Sequence, residues 1–329
     1  MAYNSKRGYE AVVSEERKRE LARFLVQRLV EEARDHGTAV PADAAAAAAD
    51  PRASFDRLWL AFRALVNIRP DWEPPEGFLA AQDELLQALV EEAGIVAVAE
   101  AQPSPENARL RLWRGDITRL RADAIVNAAN AALTGCWVPL HYCIDNAIHT
   151  FAGVQLRAEC AALMRAQGCE EPTARAKVTG AGNLPARHVI HTVGPVASGR
   201  PTPQHRAQLA QSYRACLDAA AAVGDRSVAF PCISTGVFGF PQHEAAPITV
   251  RAVRTWLDGH PDQPMTVVFD VFSDTDEDLY RRLLGLGECA WDRELIGDSC
   301  HVLKDSPPDY LRDYRACFGP AEGPVALLA

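Results

Sequence analysis

Two cysteines and a histidine lie within eight consecutive positions, as Cys136, His141 and Cys143. Thiolate sulfur and imidazole nitrogen are ligands that zinc prefers. Three protein ligands leave the fourth tetrahedral position open, which is the arrangement of catalytic rather than structural zinc. The spacing matches none of the common zinc-finger patterns, so two partly buried thiols beside a loop histidine are the alternative interpretation.

An acidic residue, Asp145, follows Cys143 by two positions, at the start of a helix predicted from Ile144. The helix dipole favours a carboxylate there, so Asp145 could serve only the helix end. Beside a metal, the same carboxylate could orient or deprotonate a water. We interpret His149, one turn later, as a supporting or packing residue, because a fourth ligand would close the site.

A loop at residues 234–239 carries two glycines between a predicted strand and a predicted helix. Such a loop can turn successive backbone N–H groups toward one point and form a nest for an anion. We expect Gly236 and Gly239 to allow close backbone approach and positive φ, although glycines also mark an ordinary strand-to-helix turn. The common nucleotide-binding motifs are absent from the sequence. The loop consists of Ser234, Thr235, Gly236, Val237, Phe238 and Gly239.

Short β-rich runs alternate with longer helical stretches from about residue 107 onward. This alternation predicts a layered α/β domain with a largely parallel or mixed sheet, in which ligands bind beyond the carboxyl ends of the strands. His191 falls inside one predicted strand and is interpreted as a hydrogen-bonded core residue. The predicted strands are 109–113, 124–127, 177–179, 188–193, 227–231 and 266–272, and the predicted helices are 144–165, 203–223, 244–260 and 276–284.

The first 105 residues are predicted to be all-helical. One helix begins after Ser14 as its N-cap and ends near Gly37, and two more cover residues 55–66 and 78–93. Residues 44–49 form a connector or a short helix. The apolar stripes of these helices indicate a core or a docking face and no chemistry.

Composition and charge restrict the class of protein. The chain has 329 residues, 48% of them hydrophobic and 23% charged, which is typical of a folded chain of about two domains. Its formal charge of −9 argues against general binding to nucleic acid or to an acidic membrane. The absence of a signal-peptide pattern and of a long apolar run predicts a cytoplasmic protein with reduced cysteines.

Four ordered motifs resemble those of a macrodomain, the ADP-ribose-binding α/β/α fold. The motifs lie at residues 115–118, 123–130, 190–195 and 234–239. The insertion at residues 135–149 and the helical N-terminal region resemble the zinc-containing branch of this family, whose members are known as protein mono-ADP-ribosyl hydrolases. The resemblance extends over roughly residues 55–285. It implies a helical extension at 1–105, a macrodomain at 106–288 and an irregular tail at 289–329.

The resemblance also implies a role for each matched position at the adenine and diphosphate end of the ligand. Asp116 would bind the adenine amino group, with the backbone of Ile117 nearby. Phe272 would lie against the adenine face, and residues 234–239 would bind the diphosphate through their backbone N–H groups.

At the distal ribose, the resemblance implies that Asn130 binds the sugar and takes part in catalysis. Cys136, His141 and Cys143 would hold zinc beside it, and Asp145 would be the catalytic carboxylate. Zinc could polarise a ribose or acyl oxygen or could activate a water, and the sequence favours neither role.

The expected function is therefore a zinc-dependent hydrolase that removes mono-ADP-ribose from acidic side chains of modified proteins. Its partners would be ADP-ribose and a mono-ADP-ribosylated protein, with no nucleic acid and no membrane. A non-catalytic ADP-ribose reader and a deacetylase acting on O-acetyl-ADP-ribose are the alternatives.

Overall fold

The strands form one large and one small sheet in the computed structural model, which describes residues 13–287. Within these residues, the large sheet has seven strands in the order β2-β3-β9-β8-β5-β7-β6, and β1 pairs with β4 in the small sheet. Three short strands, β1, β2 and β4, were not predicted from the sequence, whereas the other six correspond to the predicted ones. The strands are β1 (Val96–Ala97), β2 (Gln102–Pro103), β3 (Leu110–Arg114), β4 (Leu120–Arg121), β5 (Ala124–Ala128), β6 (Ala176–Gly180), β7 (His188–Thr192), β8 (Ser227–Phe230) and β9 (Thr266–Val271).

The large sheet is mixed, as predicted. Its five inner strands, β3, β9, β8, β5 and β7, run parallel, and the edge strands β2 and β6 are antiparallel to their neighbours. The carboxyl ends of β3, β5, β8 and β9 therefore meet at one edge of the sheet. The four loops that carry the predicted site residues leave the sheet at this edge.

The helices agree with the sequence prediction except at one point. Ser14 caps α1 by accepting a hydrogen bond from the N–H of Arg17, and residues 42–49 form a helix rather than a connector. The helices are α1 (Glu15–Asp35), α2 (Ala42–Ala49), α3 (Phe55–Ile68), α4 (Phe78–Ala93), α5 (Ile144–Ala152), α6 (Val154–Gln167), α7 (Pro203–Ala222), α8 (Gln242–Gly259) and α9 (Asp274–Leu283).

The single helix predicted over residues 144–165 is wrong, because Gly153 divides it into α5 and α6. Gly153 has φ of 97°, outside the helical region. The carbonyl of Ala152 accepts a hydrogen bond from the N–H of Asn183, and the N–H of Val154 donates to the buried side chain of Gln82 on α4. Partners distant in sequence thus satisfy the backbone at the break.

Helices cover both faces of the large sheet. Ile125 and Val268 belong to an apolar cluster with α1–α6, whereas Val126 and Val267 belong to a second cluster with α7–α9. The predicted three-layer α/β/α fold with a helical N-terminal region is confirmed.

The domain boundaries at residues 105 and 288 stay predictions, and the predicted irregular tail at 289–329 lies outside the described residues. Among residues 13–287, no helix has the length and apolar character required to cross a bilayer.

Candidate active site

A cavity of about 590 Å³ opens at the carboxyl edge of the large sheet. The loops after β3, β5, β8 and β9 and the first turn of α5 line it, which is the expected position for a ligand site in such a sheet. Every residue predicted to belong to the site contributes to the lining except Gly239. The residues predicted to form the site therefore lie around one cavity.

The loop between β5 and α5 brings the three predicted zinc ligands together. The ligand atoms of Cys136, His141 and Cys143 all lie within 4.8 Å of one another. The Sγ atom of Cys136 is 3.4 Å from Nδ1 of His141. A tetrahedral zinc with the usual bond lengths separates a sulfur and a nitrogen ligand by about 3.5 Å. Both the donor types and this spacing fit zinc.

The neighbouring Cys143 thiol, followed by His141, lowers the pKa of Cys136 to about 4. Hydrogen bonding to Cys136, together with burial, raises the pKa of the Cys143 thiol, so only one of the two cysteines is favoured as a thiolate. A thiolate is the form of cysteine that binds metal ions.

Helices outside the loop hold this segment in place. On α3, Asn67 accepts a hydrogen bond of 2.9 Å from the N–H of Leu140. On α5, the side chain of Asn146 donates to the carbonyl of Val138 at 3.2 Å. On α6, Arg157 lies 4.3 Å from the ring centroid of Trp137. The ligand loop is thus fixed on three sides, once by the helical N-terminal region.

Asp145 lies in the first turn of α5 and is only 5% exposed. Its Oδ1 accepts a hydrogen bond of 2.7 Å from Nδ2 of Asn127, and its Oδ2 accepts one of 3.2 Å from Nδ2 of Asn130. Burial raises the pKa of Asp145 to about 7. Nε2 of His149 is 3.6 Å from Oδ1, which agrees with a supporting position beside the carboxylate.

Asn130 is already engaged by the protein. Besides Asp145, its amide nitrogen donates to the carbonyl of Gly135 at 2.9 Å, and its oxygen accepts from the N–H of Ala132 at 3.0 Å. Both amide hydrogens are therefore used locally. In this arrangement Asn130 orients Asp145, and its predicted contact with the ribose stays a prediction.

The loop at residues 234–239 presents free backbone N–H groups to the cavity. Among the described residues, the N–H groups of Gly236, Val237 and Phe238 have no acceptor. The N–H group of Thr235 donates to the carbonyl of Cys232, and that of Gly239 donates to the carbonyl of Gly236. Three successive donors of this kind can meet an anion.

The backbone of this loop differs in part from the expectation. Gly239 has φ of 63°, as predicted, and a side chain there would come within 3.2 Å of the Cα of Ser198. The prediction of positive φ for Gly236 is wrong, because the strained position is Ser234, with φ of 67°. The turn that aims the N–H groups is therefore made two residues earlier in the chain than the glycine positions suggest.

Asp116 and Phe272 lie at the predicted adenine end of the cavity. Oδ1 of Asp116 accepts from the N–H and the hydroxyl of Thr118, at 3.0 and 2.7 Å. Burial raises the pKa of Asp116. Phe272 is 43% exposed and makes an edge contact with Tyr142, with 5.9 Å between the ring centroids. Ile117 lines the cavity beside Asp116.

Two functional candidates were missed in the sequence. Asn127 is a polar side chain inside β5, and nothing in the pattern indicates its contact with Asp145. Arg63 lines the cavity from α3, a helix in which no chemistry was expected. Its Nε is buried without a hydrogen-bond acceptor among residues 13–287, and burial lowers its pKa to about 10. The available signal was an arginine placed between the buried residues Phe62 and Ala64.

Comparison with known proteins supports the fold. The family model described as Macro domain matches residues 126–249. A protein of Treponema medium named Protein-ADP-ribose hydrolase is 47% identical over 264 residues, which cover 79% of this chain and 97% of that protein. A Staphylococcus aureus protein of the same name is 44% identical over 229 residues, covering 69% and 85% of the two chains.

A solved structure shares the architecture as well. The Trypanosoma brucei macrodomain in complex with ADP-ribose has a TM-score of 0.53 and 28% identity, and the match covers 68% of this chain and 95% of that one. The ordered motifs, the three-layer fold and these matches agree: the chain belongs to the macrodomain family.

Proposed function

We propose that this protein is a zinc-dependent protein-ADP-ribose hydrolase that releases mono-ADP-ribose from acidic side chains. The observation that carries the proposal is the position of Asp145, a buried carboxylate held by two asparagines beside an open set of three zinc ligands. The relatives named Protein-ADP-ribose hydrolase support the same activity.

ADP-ribose is a dianion, and the chain has a formal charge of −9. Binding therefore depends on donors at short range rather than on the overall field. The N–H groups of residues 236–238 supply such donors for the diphosphate. Asp116 accepts from the adenine amino group, and Phe272 offers an exposed ring for stacking on the purine.

Cys136, His141 and Cys143 are the residues that would hold the metal. Zinc, when bound, supplies a Lewis acid and lowers the pKa of a coordinated water to about 7. The protein contributes the fixed loop and three ligands that line the cavity, and a tetrahedral zinc held by them would keep its fourth position for water or substrate. A structural zinc would be closed by a fourth protein ligand.

Asp145 carries the proton transfer in this proposal. Asn127 occupies Oδ1, and Asn130 orients Oδ2. Oδ2 accepts a proton from the water that attacks the anomeric carbon of the distal ribose. As the new C–O bond forms, the bond between that carbon and the ester oxygen breaks, and its electrons stay on the oxygen of the departing carboxylate. The products are free ADP-ribose and the restored carboxylate of the target protein, which leaves as an anion and needs no proton.

The test uses proteins that are mono-ADP-ribosylated either on acidic residues or on serine. Incubation with the full chain should release ADP-ribose from the acid-linked substrate. Release from the serine-linked substrate should be at least about tenfold slower, because a carboxylate is a better leaving group than the alkoxide of serine. The Cys136→Ala variant should release none. Tight binding without release would instead identify a reader, and release of acetate from O-acetyl-ADP-ribose alone would identify a deacetylase.

A further inference from the structure

A buried row of polar side chains lies behind Asp145 and has no part in the chemistry described so far. His191 on β7 is fully buried, and its Nδ1 is 3.2 Å from Nδ2 of Asn127. Its other nitrogen, Nε2, is 2.9 Å from the hydroxyl of Thr179 on β6. The row thus connects an edge strand of the sheet to the carboxylate in the site through Asn127.

The neighbours of His191 determine which nitrogen carries its hydrogen. The amide nitrogen of Asn127 can only donate, so Nδ1 of His191 must accept. Burial lowers the pKa of His191 to about 4, which keeps the ring neutral with a single N–H. That hydrogen is therefore on Nε2 and is donated to the hydroxyl of Thr179.

The same amide nitrogen of Asn127 also donates to Oδ1 of Asp145, at 2.7 Å. Its two hydrogens are thus divided between His191 and Asp145. The amide oxygen of Asn127 is buried and has no donor among residues 13–287. No donor in this part of the chain fixes the amide from its oxygen side, so its orientation is set by the two acceptors. A reversed amide would place its oxygen against an oxygen of Asp145.

We infer that His191 is a positioning residue for the hydrolysis, a role that rests on the proposed function. Its unprotonated Nδ1 holds the amide of Asn127 with its nitrogen toward Asp145. Asn127 then fixes Oδ1 of Asp145 and leaves Oδ2 for the water. His191 touches neither substrate nor metal and acts only through Asn127.

A metal site that includes His191 is the alternative interpretation of these buried residues. The ligand atoms of His149, Cys160 and His191 lie within 4.8 Å of one another, as in a metal site. However, Nε2 of His191 carries a hydrogen in the arrangement above and has no lone pair for a metal. A metal on Nε2 would force the hydrogen onto Nδ1, where it would meet the amide hydrogens of Asn127. The hydrogen-bond geometry therefore favours the positioning role.

The first experiment observes the hydrogen itself. Long-range ¹H–¹⁵N correlation spectra of the full chain, assigned with a His191→Asn variant, should show His191 as the neutral Nε2–H form. The Nδ1–H form would overturn the inference. This measurement does not depend on turnover, so a protein that proves inactive on every ADP-ribosylated substrate would refute the proposed function and still leave the hydrogen-bond order decided.

The second experiment uses two variants of nearly equal shape. Asparagine at position 191 keeps an acceptor close to the place of Nδ1, whereas leucine has none. His191→Leu should lower kcat about 10- to 100-fold, the usual effect of losing a supporting partner, with the ADP-ribose Kd within about twofold. His191→Asn should recover most of kcat. Equal losses in both variants, or zinc that is kept in Cys136→Ala and lost in His191→Asn, would contradict the role.

Discussion

The two ends of the cavity present different chemical groups: backbone N–H groups at one end and side chains at the other. At the diphosphate end, residues 234–239 offer backbone N–H groups, and the most central side chain, Val237, is 73% exposed. At the metal end, the working groups are side chains, and the carboxylate of Asp145 is held by the side chains of Asn127 and Asn130. Under the proposed function, binding therefore depends on backbone shape and reaction on residue identity. Substitutions at the two ends should separate affinity from turnover.

The largest expected effect is at the metal end. Asp145→Asn removes the proton acceptor while it keeps the size of the side chain, so kcat should fall by about 10³-fold. The ADP-ribose Kd should stay within about threefold. Steady-state rates on an acid-linked substrate and calorimetric titration with ADP-ribose give both numbers. A loss of affinity as large as the loss of kcat would assign Asp145 to binding instead.

At the diphosphate end, Val237 allows a matched pair of substitutions. Proline at this position removes the N–H group, and a hydrogen bond to a charged group contributes about 1.5–3 kcal/mol, so Val237→Pro should weaken ADP-ribose binding about 10- to 100-fold. Val237→Ala keeps the N–H group and should bind within about twofold of the wild type. Thermal unfolding of both variants checks that the fold survives. Similar weakening in both would show that the side chain, not the backbone, contacts the ligand.

The smallest effect on ADP-ribose affinity is expected from substitution of Arg63. This residue lines the cavity from α3, in the helical N-terminal region. Its charge lowers the pKa of Asp116 against the opposing effect of burial. In Arg63→Met the pKa of Asp116 should rise, so the loss of ADP-ribose affinity on acidification should begin at a higher pH than in the wild type. At pH 7 the change in Kd should be less than about tenfold.

A half-buried arginine that does not line the cavity provides the control for this shift. Arg214 contacts only Gln211 among the hydrogen bonds described, and Arg214→Met should leave the pH profile of ADP-ribose binding in place. The same displacement in both variants would mean that net charge, rather than the position of Arg63, produces it.

The sequence predicted which residues of the candidate site lie together. The proposed ligand set at 136–143 and the proposed donor loop at 234–239 are short segments, so their grouping is visible without the fold. The alternation of strands and helices predicted the sheet edge at which these segments lie together. In each case the relevant atoms are close in sequence or are brought together by a general rule of parallel sheets.

The features that escaped prediction depend on partners far away in the chain. The sequence indicated a hydrogen-bonded core position for His191, which is confirmed, but not its partner Asn127, which is 64 positions away. The break at Gly153 depends on Gln82, whose side chain is bonded to Val154 across 72 positions. In the sequence, Arg63 is one polar residue of an amphipathic helix. Its place at the cavity depends on how α3 packs over the site. The hydrophobic periodicity of a segment shows which of its faces is buried. It does not show which group a buried polar side chain will contact.

One titration decides whether the metal end works as proposed. The full chain is stripped of metal with a chelator, zinc is added back in measured amounts, and both the release of ADP-ribose and the Kd for ADP-ribose are followed. Turnover should be absent at first and should rise in proportion to zinc up to one equivalent per chain, while the Kd stays constant. Full turnover by the metal-free protein would contradict the mechanism.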